Sequence, residues 1–131
     1  MIRICQHIIQ AIIRQAQDEL PHEACGLLAG SGDTVVKQFP MTNIDHSAEH
    51  FSFDPREQFH VLNTARKEGL RIIANYHSHP STPSRPSEED IRLAYDPDII
   101  YLIVSLAAEE PVVRAFRIRD GKAKQEDIII T

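Results

Sequence analysis

Residues 70–80 have the sequence LRIIANYHSHP, in which a run of strand-forming apolar residues leads into two histidines. β-Branched and other apolar residues in such a run are typical of a buried strand. Side chains at positions i and i+2 of a strand point to the same side, so His77 and His79 are expected to project together, about 6.6 Å apart along the strand. Two imidazoles placed in this way can converge on one metal ion.

The segment after the histidines predicts how a third ligand reaches them. Residues 80–86 contain three prolines and no large apolar residue, which indicates a loop. Ser87 is then expected to cap a short helix over Glu88–Ala94, which has an acidic first turn and carries Asp90. Two histidines and one carboxylate are a known ligand set for catalytic zinc, and they leave the fourth tetrahedral position open for water. We therefore predict one zinc ion per chain, bound by Asp90 and the two histidines.

A hydrolytic zinc site also needs a carboxylate that moves protons between water and the leaving group. Glu23 is the candidate for this general acid/base, because it directly precedes the apolar run Ala24–Ala29 and is expected at the edge of a strand. Ser87 lies three residues before Asp90, so its hydroxyl is expected close to the metal, where it can help to hold a developing oxyanion. Glu23 and Ser87 are thus the predicted catalytic side chains.

The rest of the chain predicts an α/β fold, with a mixed sheet flanked by two main helices. Residues 6–19 have the i, i+3, i+4 recurrence of apolar residues that is typical of an amphipathic helix. Strands are expected at 2–5, 24–29, 34–39, 70–76, 99–106, 112–118 and 128–130, and 50–53 is considered as a further one. No repeat or linker divides these elements, so residues 1–131 are interpreted as one domain.

The second main helix is expected to begin at Asp54-Pro55, with the aspartate as N-cap and the proline at the first helical position. Gly69 is expected to end it. Phe59, Leu62 and Ala65 are expected to form its buried stripe.

Composition excludes several classes of protein. The net charge of −5 and the pI near 5.8 argue against an electrostatic nucleic-acid binder. Cys5 and Cys25 are too few for a disulfide framework and suit a reducing compartment. Gln6, His7 and Gln10 interrupt the apolar N-terminal stretch, so it is neither a signal peptide nor a membrane span. The sequence predicts a soluble, cytoplasmic protein.

Residues 77–90 resemble the JAMM motif of the MPN+ family of metallopeptidases. That motif is a remote glutamate, then His-(Ser/Thr)-His, seven residues, Ser, two residues and Asp, and the chain matches it at every position. Residues 22–30, HEACGLLAG, look like the segment that carries the family's glutamate, here Glu23. The resemblance covers nearly the whole chain. It implies a deaminase-like MPN/JAMM fold and the hydrolysis of peptide or isopeptide bonds by a metal-activated water.

Substrates in this family are often the C-terminal tails of ubiquitin or ubiquitin-like proteins. The compact chain and the segment HFSFDP at residues 50–55 look like bacterial members that trim ubiquitin-like sulfur-carrier proteins near a Gly-Gly tail. By this analogy, the expected partner is a ubiquitin-like sulfur-carrier protein. Its tail is expected to pair its backbone with an exposed strand edge.

Three other interpretations were weighed against this one. Cys25 near His22 suggests a thiol nucleophile, but a cysteine flanked by glycine and leucine inside a strand is more typical of a core residue. Nucleobase deamination needs a His-x-Glu and a Cys-x-x-Cys pair, and the sequence has neither. The main alternative is a non-catalytic MPN scaffold that binds partners without metal. Such scaffolds typically lose a ligand, whereas this chain keeps all three and Glu23.

Overall fold

Eight strands of the chain form one mixed sheet, in a computed structural model that describes all of residues 1–131. The order of the strands across the sheet is β7-β6-β5-β4-β2-β3-β1-β8. Strand β4 runs parallel to β5, and β1 runs parallel to both β3 and β8, while the remaining neighbours are antiparallel. The predicted mixed α/β architecture is confirmed.

In chain order the elements are β1 (Ile2–Ile4), α1 (Gln6–Asp18), β2 (Cys25–Ser31), β3 (Thr34–Met41), α2 (Pro55–Lys67), β4 (Arg71–His79), α3 (Glu88–Arg92), β5 (Ile100–Ser105), β6 (Val112–Arg119), β7 (Lys122–Glu126) and β8 (Ile128–Ile130).

Helix α1 covers one face of the sheet. Its buried residues are the apolar stripe that the sequence predicts, and they pack on even-numbered residues of β2, β4 and β5 such as Leu28, Tyr76 and Leu102. Gly26 allows Tyr76 to lie flat there, because a Cβ at Gly26 would stand 2.2 Å from the tyrosine hydroxyl oxygen. That hydroxyl hydrogen-bonds to Gln15 and Gln38, which ties α1 and β3 to the centre of the sheet.

Helices α2 and α3 lie on the opposite face, since the odd-numbered residues of the central strands point toward them. Helix α2 covers a cluster of Cys25, Leu27, Met41 and Val61. A second cluster consists of Tyr101, Ile103, Phe116 and Ile118. Ile91 of α3 packs against it, together with Ala94 and Ile99 from the connection between α3 and β5. The two helices therefore stand on either side of β4, and the sheet between them forms the floor of a groove.

The predicted buried stripe of α2 is wrong for two of its three residues. Phe59 is 71% exposed and Leu62 is 43% exposed, whereas Val61 and Ala65 face the sheet. Asp54 caps the helix through a hydrogen bond from the Arg56 N–H, as predicted. The side of α2 that faces the sheet is the one that carries Val61, which packs with Cys25, Leu27 and Met41.

Strand β7 and the segment 50–53 also differ from expectation. Residues 122–126, KAKQE, have no apolar alternation, yet they pair with β6 as an exposed edge strand. The turn Asp120-Gly121 makes this hairpin possible, because both residues have positive φ, 52° and 73°, as hairpin turns of two residues require. Residues 50–53 form no strand, and only an isolated bridge joins Asn43 and Phe53. No helix of the structure is both long enough and apolar enough to cross a membrane.

Candidate metal centre

The three predicted metal ligands meet at the end of β4. His77 and His79 are 2% and 4% exposed, and their Nε2 atoms lie 3.1 Å apart. Asp90 comes from the first turn of α3, and its Oδ2 lies 3.2 Å from Nε2 of His77 and 3.0 Å from Nε2 of His79. The structure thus brings together the residues that the sequence singles out.

Ser87 orients Asp90 through a reciprocal pair of hydrogen bonds at the start of α3. The Ser87 N–H donates to Oδ2 of Asp90 at 2.9 Å, and the Asp90 N–H donates to Oγ of Ser87 at 3.0 Å. This is a capping box, which satisfies backbone donors at a helix N-terminus. Ser87 is therefore a helix cap as predicted, and its hydroxyl keeps its own proton free to donate to another group.

The loop over residues 80–86 orients His79. Nδ1 of His79 donates to the Pro83 carbonyl oxygen at 2.9 Å. The loop is fastened to β5 by Ser84, whose Oγ donates to the Ile103 carbonyl at 2.7 Å, and by Ser105, whose Oγ donates to the Thr82 carbonyl at 2.6 Å. A fixed partner for the second ring nitrogen of a histidine is the usual support of a metal ligand.

The arrangement of these atoms fits a cation. Because a carbonyl oxygen can only accept, Nδ1 of His79 carries the proton and Nε2 presents a lone pair toward the carboxylate oxygen of Asp90. Two acceptors 3.0 Å apart repel one another unless a proton or a metal ion lies between them. Ligand atoms around a tetrahedral zinc ion lie about 3.3 Å apart, given bond lengths near 2.0 Å. The observed separations of 3.0–3.2 Å are close to that value.

When no metal ion is bound, a proton on Nε2 of His79 lies between the ring and Asp90, and the pKa values of both partners reflect this. Burial acts to raise the pKa of Asp90, but hydrogen bonds from His77 and His79 outweigh burial and hold it far below its ordinary value. Burial acts to lower the pKa of His79, but its hydrogen bonds to Asp90 and to the Pro83 carbonyl outweigh burial and raise it. The centre therefore holds an ionised carboxylate that attracts positive charge.

Glu23 lies beside this centre. The antiparallel register of β2 and β4 aligns Cys25 with His77, and two further residues along each strand bring Glu23 opposite His79 on the same face. Glu23 is 3% exposed, and its Oε1 has no hydrogen-bond partner. Burial raises the pKa of its carboxyl to about 8, with His79 acting in the opposite direction and Asp90 adding to the rise. This is the buried, perturbed carboxyl expected of a general acid/base.

Three residues that sequence reasoning did not single out build the surroundings of Glu23 and His77. Ser78 accepts a hydrogen bond from the Ala24 N–H at 2.7 Å, which fastens the residue after Glu23 to β4. Phe51 stacks on the ring of His77, with centroids 4.8 Å apart. Ser78 could have been found as the residue between the two histidines, and Phe51 belongs to the segment HFSFDP that carries part of the family resemblance, although its contact with His77 depends on tertiary structure.

Asn43 is the third of these residues, and it is buried. Its Nδ2 donates to the carbonyl oxygens of Glu23 and His50 at 3.1 and 3.0 Å, and its Oδ1 accepts from the N–H groups of Asp45 and Ser52 at 3.0 and 3.3 Å. One side chain thus joins Glu23 to the loop that carries Phe51. These contacts depend on tertiary structure, so no local pattern marks Asn43.

The thiol of Cys25 lacks the accessibility and the low pKa of a nucleophilic cysteine. Cys25 is fully buried, and its Sγ contacts the Met41 carbonyl at 3.7 Å. Burial raises the pKa of the thiol to about 12, so the reactive thiolate is suppressed at neutral pH. His22 packs instead against His46, with ring centroids 5.9 Å apart. Cys5 and Cys25 are both free cysteines.

A groove of about 200 Å³ opens from the metal centre onto the sheet between α2 and α3. His77 and Asp90 line one end of it. Its floor and walls are mostly apolar, with Phe51, Phe53, Leu93, Tyr101, Ile103 and Ile118 among them. A ligand that lies in this groove therefore contacts the metal ligands directly.

Comparison with known proteins gives consistent matches. The family model of prokaryotic homologs of the JAB domain matches residues 6–119. The CysO-cysteine peptidase of Mycobacterium tuberculosis is 33% identical over 124 residues, covering 92% of this chain and 85% of the relative. The desampylase of Pyrococcus furiosus is 32% identical over 106 residues, covering 81% and 75%. The solution structure of protein DSY2949 from Desulfitobacterium hafniense superposes with a TM-score of 0.91 at 45% identity, covering 100% of this chain and 93% of that one.

Proposed function

Since the chain belongs to the family of prokaryotic homologs of the JAB domain, we propose that it is a zinc-dependent hydrolase that cleaves peptide or isopeptide bonds at the glycine-rich C-terminal tail of a ubiquitin-like sulfur-carrier protein. The names of its relatives, a CysO-cysteine peptidase and a desampylase, support this class of reaction and substrate. The observation that carries the proposal is the convergence of two imidazoles and one carboxylate beside the buried carboxyl of Glu23.

His77, His79 and Asp90 would hold one zinc ion. When bound, zinc acts as a Lewis acid toward a carbonyl oxygen and lowers the pKa of a water molecule that it binds to about 7. Phe51 and the Pro83 carbonyl keep the two imidazoles in place, and the Ser87 N–H does the same for the carboxylate. These partners reduce the motion of the ligands and so favour tight binding.

Glu23 would move the proton. Its carboxylate accepts a proton from the attacking water and then gives it to the departing amine, whose leaving requires protonation. A carboxyl with a pKa near 8 is neutral more often than an exposed glutamate at pH 7, and a nearby dication would lower that pKa toward the operating pH. Ser87 would donate its free hydroxyl proton to the oxyanion of the reacting carbonyl.

The groove between α2 and α3 would receive the tail of the substrate. It leads directly to His77 and Asp90, so a chain that follows the groove delivers its last carbonyl to the metal centre. Phe51 and Leu93 stand among its lining side chains, and glycine residues pass between such bulky groups most easily. Strand β4 has neighbours on both sides, so the predicted pairing of the tail with a free strand edge does not apply to β4 itself.

The test combines metal content with catalysis. Wild-type protein loaded with zinc and dialysed should hold about one zinc per chain by elemental analysis, and His79→Ala should lose it. Glu23→Gln should keep the zinc and lose about 10²–10⁴-fold in kcat, with the exposed Glu49→Gln as the matched control. Substrates are sought by mass spectrometry among ubiquitin-like proteins whose Gly-Gly tails are joined to an amine through a peptide or isopeptide bond. A folded wild-type protein that binds no zinc would instead be the non-catalytic scaffold.

A further inference from the structure

Besides the charged or titratable side chains of His77, Glu89 and Asp90, two side-chain amides line the groove. Asn75 lies on its floor, and Gln58 projects into it from α2. The Asn75 Oδ1 atom is buried without a hydrogen-bond partner. The Gln58 side chain is half-buried, and no hydrogen bond joins it to the rest of the protein. An unpaired buried polar atom is rare in a folded protein and calls for an explanation.

The neighbours of Asn75 make its polarity unexpected. In the register of the sheet it lies between Leu27 of β2 and Tyr101 of β5. A valine or isoleucine would satisfy such a position on a strand, since it is flanked by apolar and aromatic side chains. Folding therefore gains no hydrogen bond from the amide. Rotation about χ2 exchanges Oδ1 with Nδ2, and this turns the acceptor into the groove, where it can find a partner.

The substrate proposed above supplies such partners. A tail of glycines offers only peptide groups for recognition, and it lies on a face of the sheet where the backbone groups of β4 are already paired with β2 and β5. Its N–H and C=O groups therefore need side-chain partners, or they lose their hydrogen bonds to water without replacement. A side-chain amide has both a donor and an acceptor, so it can pair with one peptide group in either orientation.

We propose that Asn75, assisted by Gln58, is a specificity-determining residue that hydrogen-bonds the backbone of the substrate tail. This inference rests on the proposed function. Asn75 lies two residues before His77, or about 6.6 Å along the strand, and an extended tail rises about 3.3 Å per residue. Asn75 is therefore level with the peptide group two residues upstream of the scissile carbonyl. Recognition of the backbone at that point favours an extended tail over a folded or helical one.

The experiment uses a peptide that ends in Gly-Gly joined to a fluorogenic amine, together with versions in which single upstream amides are replaced by esters. For Asn75→Val we expect KM to rise about 3- to 10-fold with kcat and zinc content unchanged, which is the effect of one lost hydrogen bond. In the wild type one ester position, about two residues upstream, should raise KM by a similar factor. The same ester should have no further effect in Asn75→Val. Gln58→Met should also raise KM, by a smaller factor than Asn75→Val. Gln125→Met, exposed on β7, is its control and should leave KM unchanged.

Two further measurements separate the possible failures. The melting temperature of Asn75→Val should stay the same or rise, because an unpaired amide is removed, whereas a structural role would lower it. Fluorescence anisotropy measures how tightly the same peptides bind to Glu23→Gln protein, which does not hydrolyse them. Comparing this affinity with that of the double variant Glu23→Gln/Asn75→Val tests Asn75 without hydrolysis. If wild type cleaves nothing but Asn75→Val weakens peptide binding, the catalytic proposal fails and this one stands. Equal ester effects in wild type and Asn75→Val, or an unchanged KM and affinity, would overturn it.

Discussion

The ring of His79 and the backbone of Pro83 are joined by a hydrogen bond of 2.9 Å, and this bond turns Nε2 of the same ring toward Asp90. The donor is Nδ1–H, so the bond also fixes the tautomer in which Nε2 can bind a metal. The loop that supplies the carbonyl contains three prolines and is fastened to β5 by Ser84. If His79 binds a metal ion as proposed, the affinity of the centre is expected to depend on Ser84, which contacts none of the proposed ligands.

Ser84→Ala should weaken zinc binding about 10- to 100-fold, as the loss of supporting contacts around a metal ligand typically does. The cause is the loss of the bond to the Ile103 carbonyl, which releases the loop and with it the partner of His79. Competition with a chromophoric chelator measures the affinity. Ser81→Ala is the matched control, since Ser81 is exposed in the same loop. Equal affinities for the two variants would show that the loop does not support His79.

Ser87→Ala should produce two separable losses. Removing the cap of α3 costs about 1 kcal/mol and leaves the Asp90 N–H without its partner, so zinc affinity should fall modestly. Removing the hydroxyl that is proposed to contact the oxyanion should also lower kcat by about 10²-fold at saturating zinc. Ser87→Thr keeps both functions and should restore both readouts. If kcat of Ser87→Ala is unchanged at saturating zinc, the serine acts only as a helix cap.

Gly26→Ala should destabilise the fold without touching the metal centre directly. The added methyl would meet the phenol ring of Tyr76, whose Cζ and Cε1 stand 2.3 and 2.4 Å from an ideal Cβ, and overpacking of this kind costs about 1–3 kcal/mol. Thermal unfolding of the metal-free protein measures the loss. Combining Gly26→Ala with Tyr76→Ala should cost less than the sum of the two single changes. Strict additivity would exclude the clash as the cause.

The metal ligands could be predicted from sequence because local rules govern them. Alternation along a strand places His77 and His79 on one side, prolines make the following loop, and a capping serine fixes the start of the helix that carries Asp90. Each of these rules operates over a few residues. The structure agrees with these rules, although β4 ends three residues beyond the predicted strand and α3 ends two residues before the predicted helix end.

The features that the sequence did not predict depend on contacts between distant parts of the chain. Phe59 and Leu62 have the spacing of a buried stripe, but both are exposed, because it is Val61 of α2 that packs against the sheet. The role of Asn43 follows from partners up to 20 residues away, among them Glu23. The strand β7 exists because β6 offers an edge and a two-residue turn reverses the chain, although its own sequence is polar. Tertiary structure decides each of these features.

Metal-free Glu23→Gln should be more stable than the metal-free wild type at alkaline pH. Burial raises the pKa of the Glu23 carboxyl from 4.5 to about 8, so between these values the folded protein holds a proton that the unfolded chain has released. Stability must then fall as pH rises through this window, by up to about 1.4 kcal/mol per pH unit. Glutamine does not titrate and lacks this loss. The difference in melting temperature between the variant and the wild type should therefore grow from pH 5 to pH 8 and level off above it. Glu110→Gln, which removes an exposed acid between β5 and β6 that does not influence the pKa of Glu23, should show no such trend. A difference that stays constant across the window would mean that Glu23 is already ionised in the folded protein.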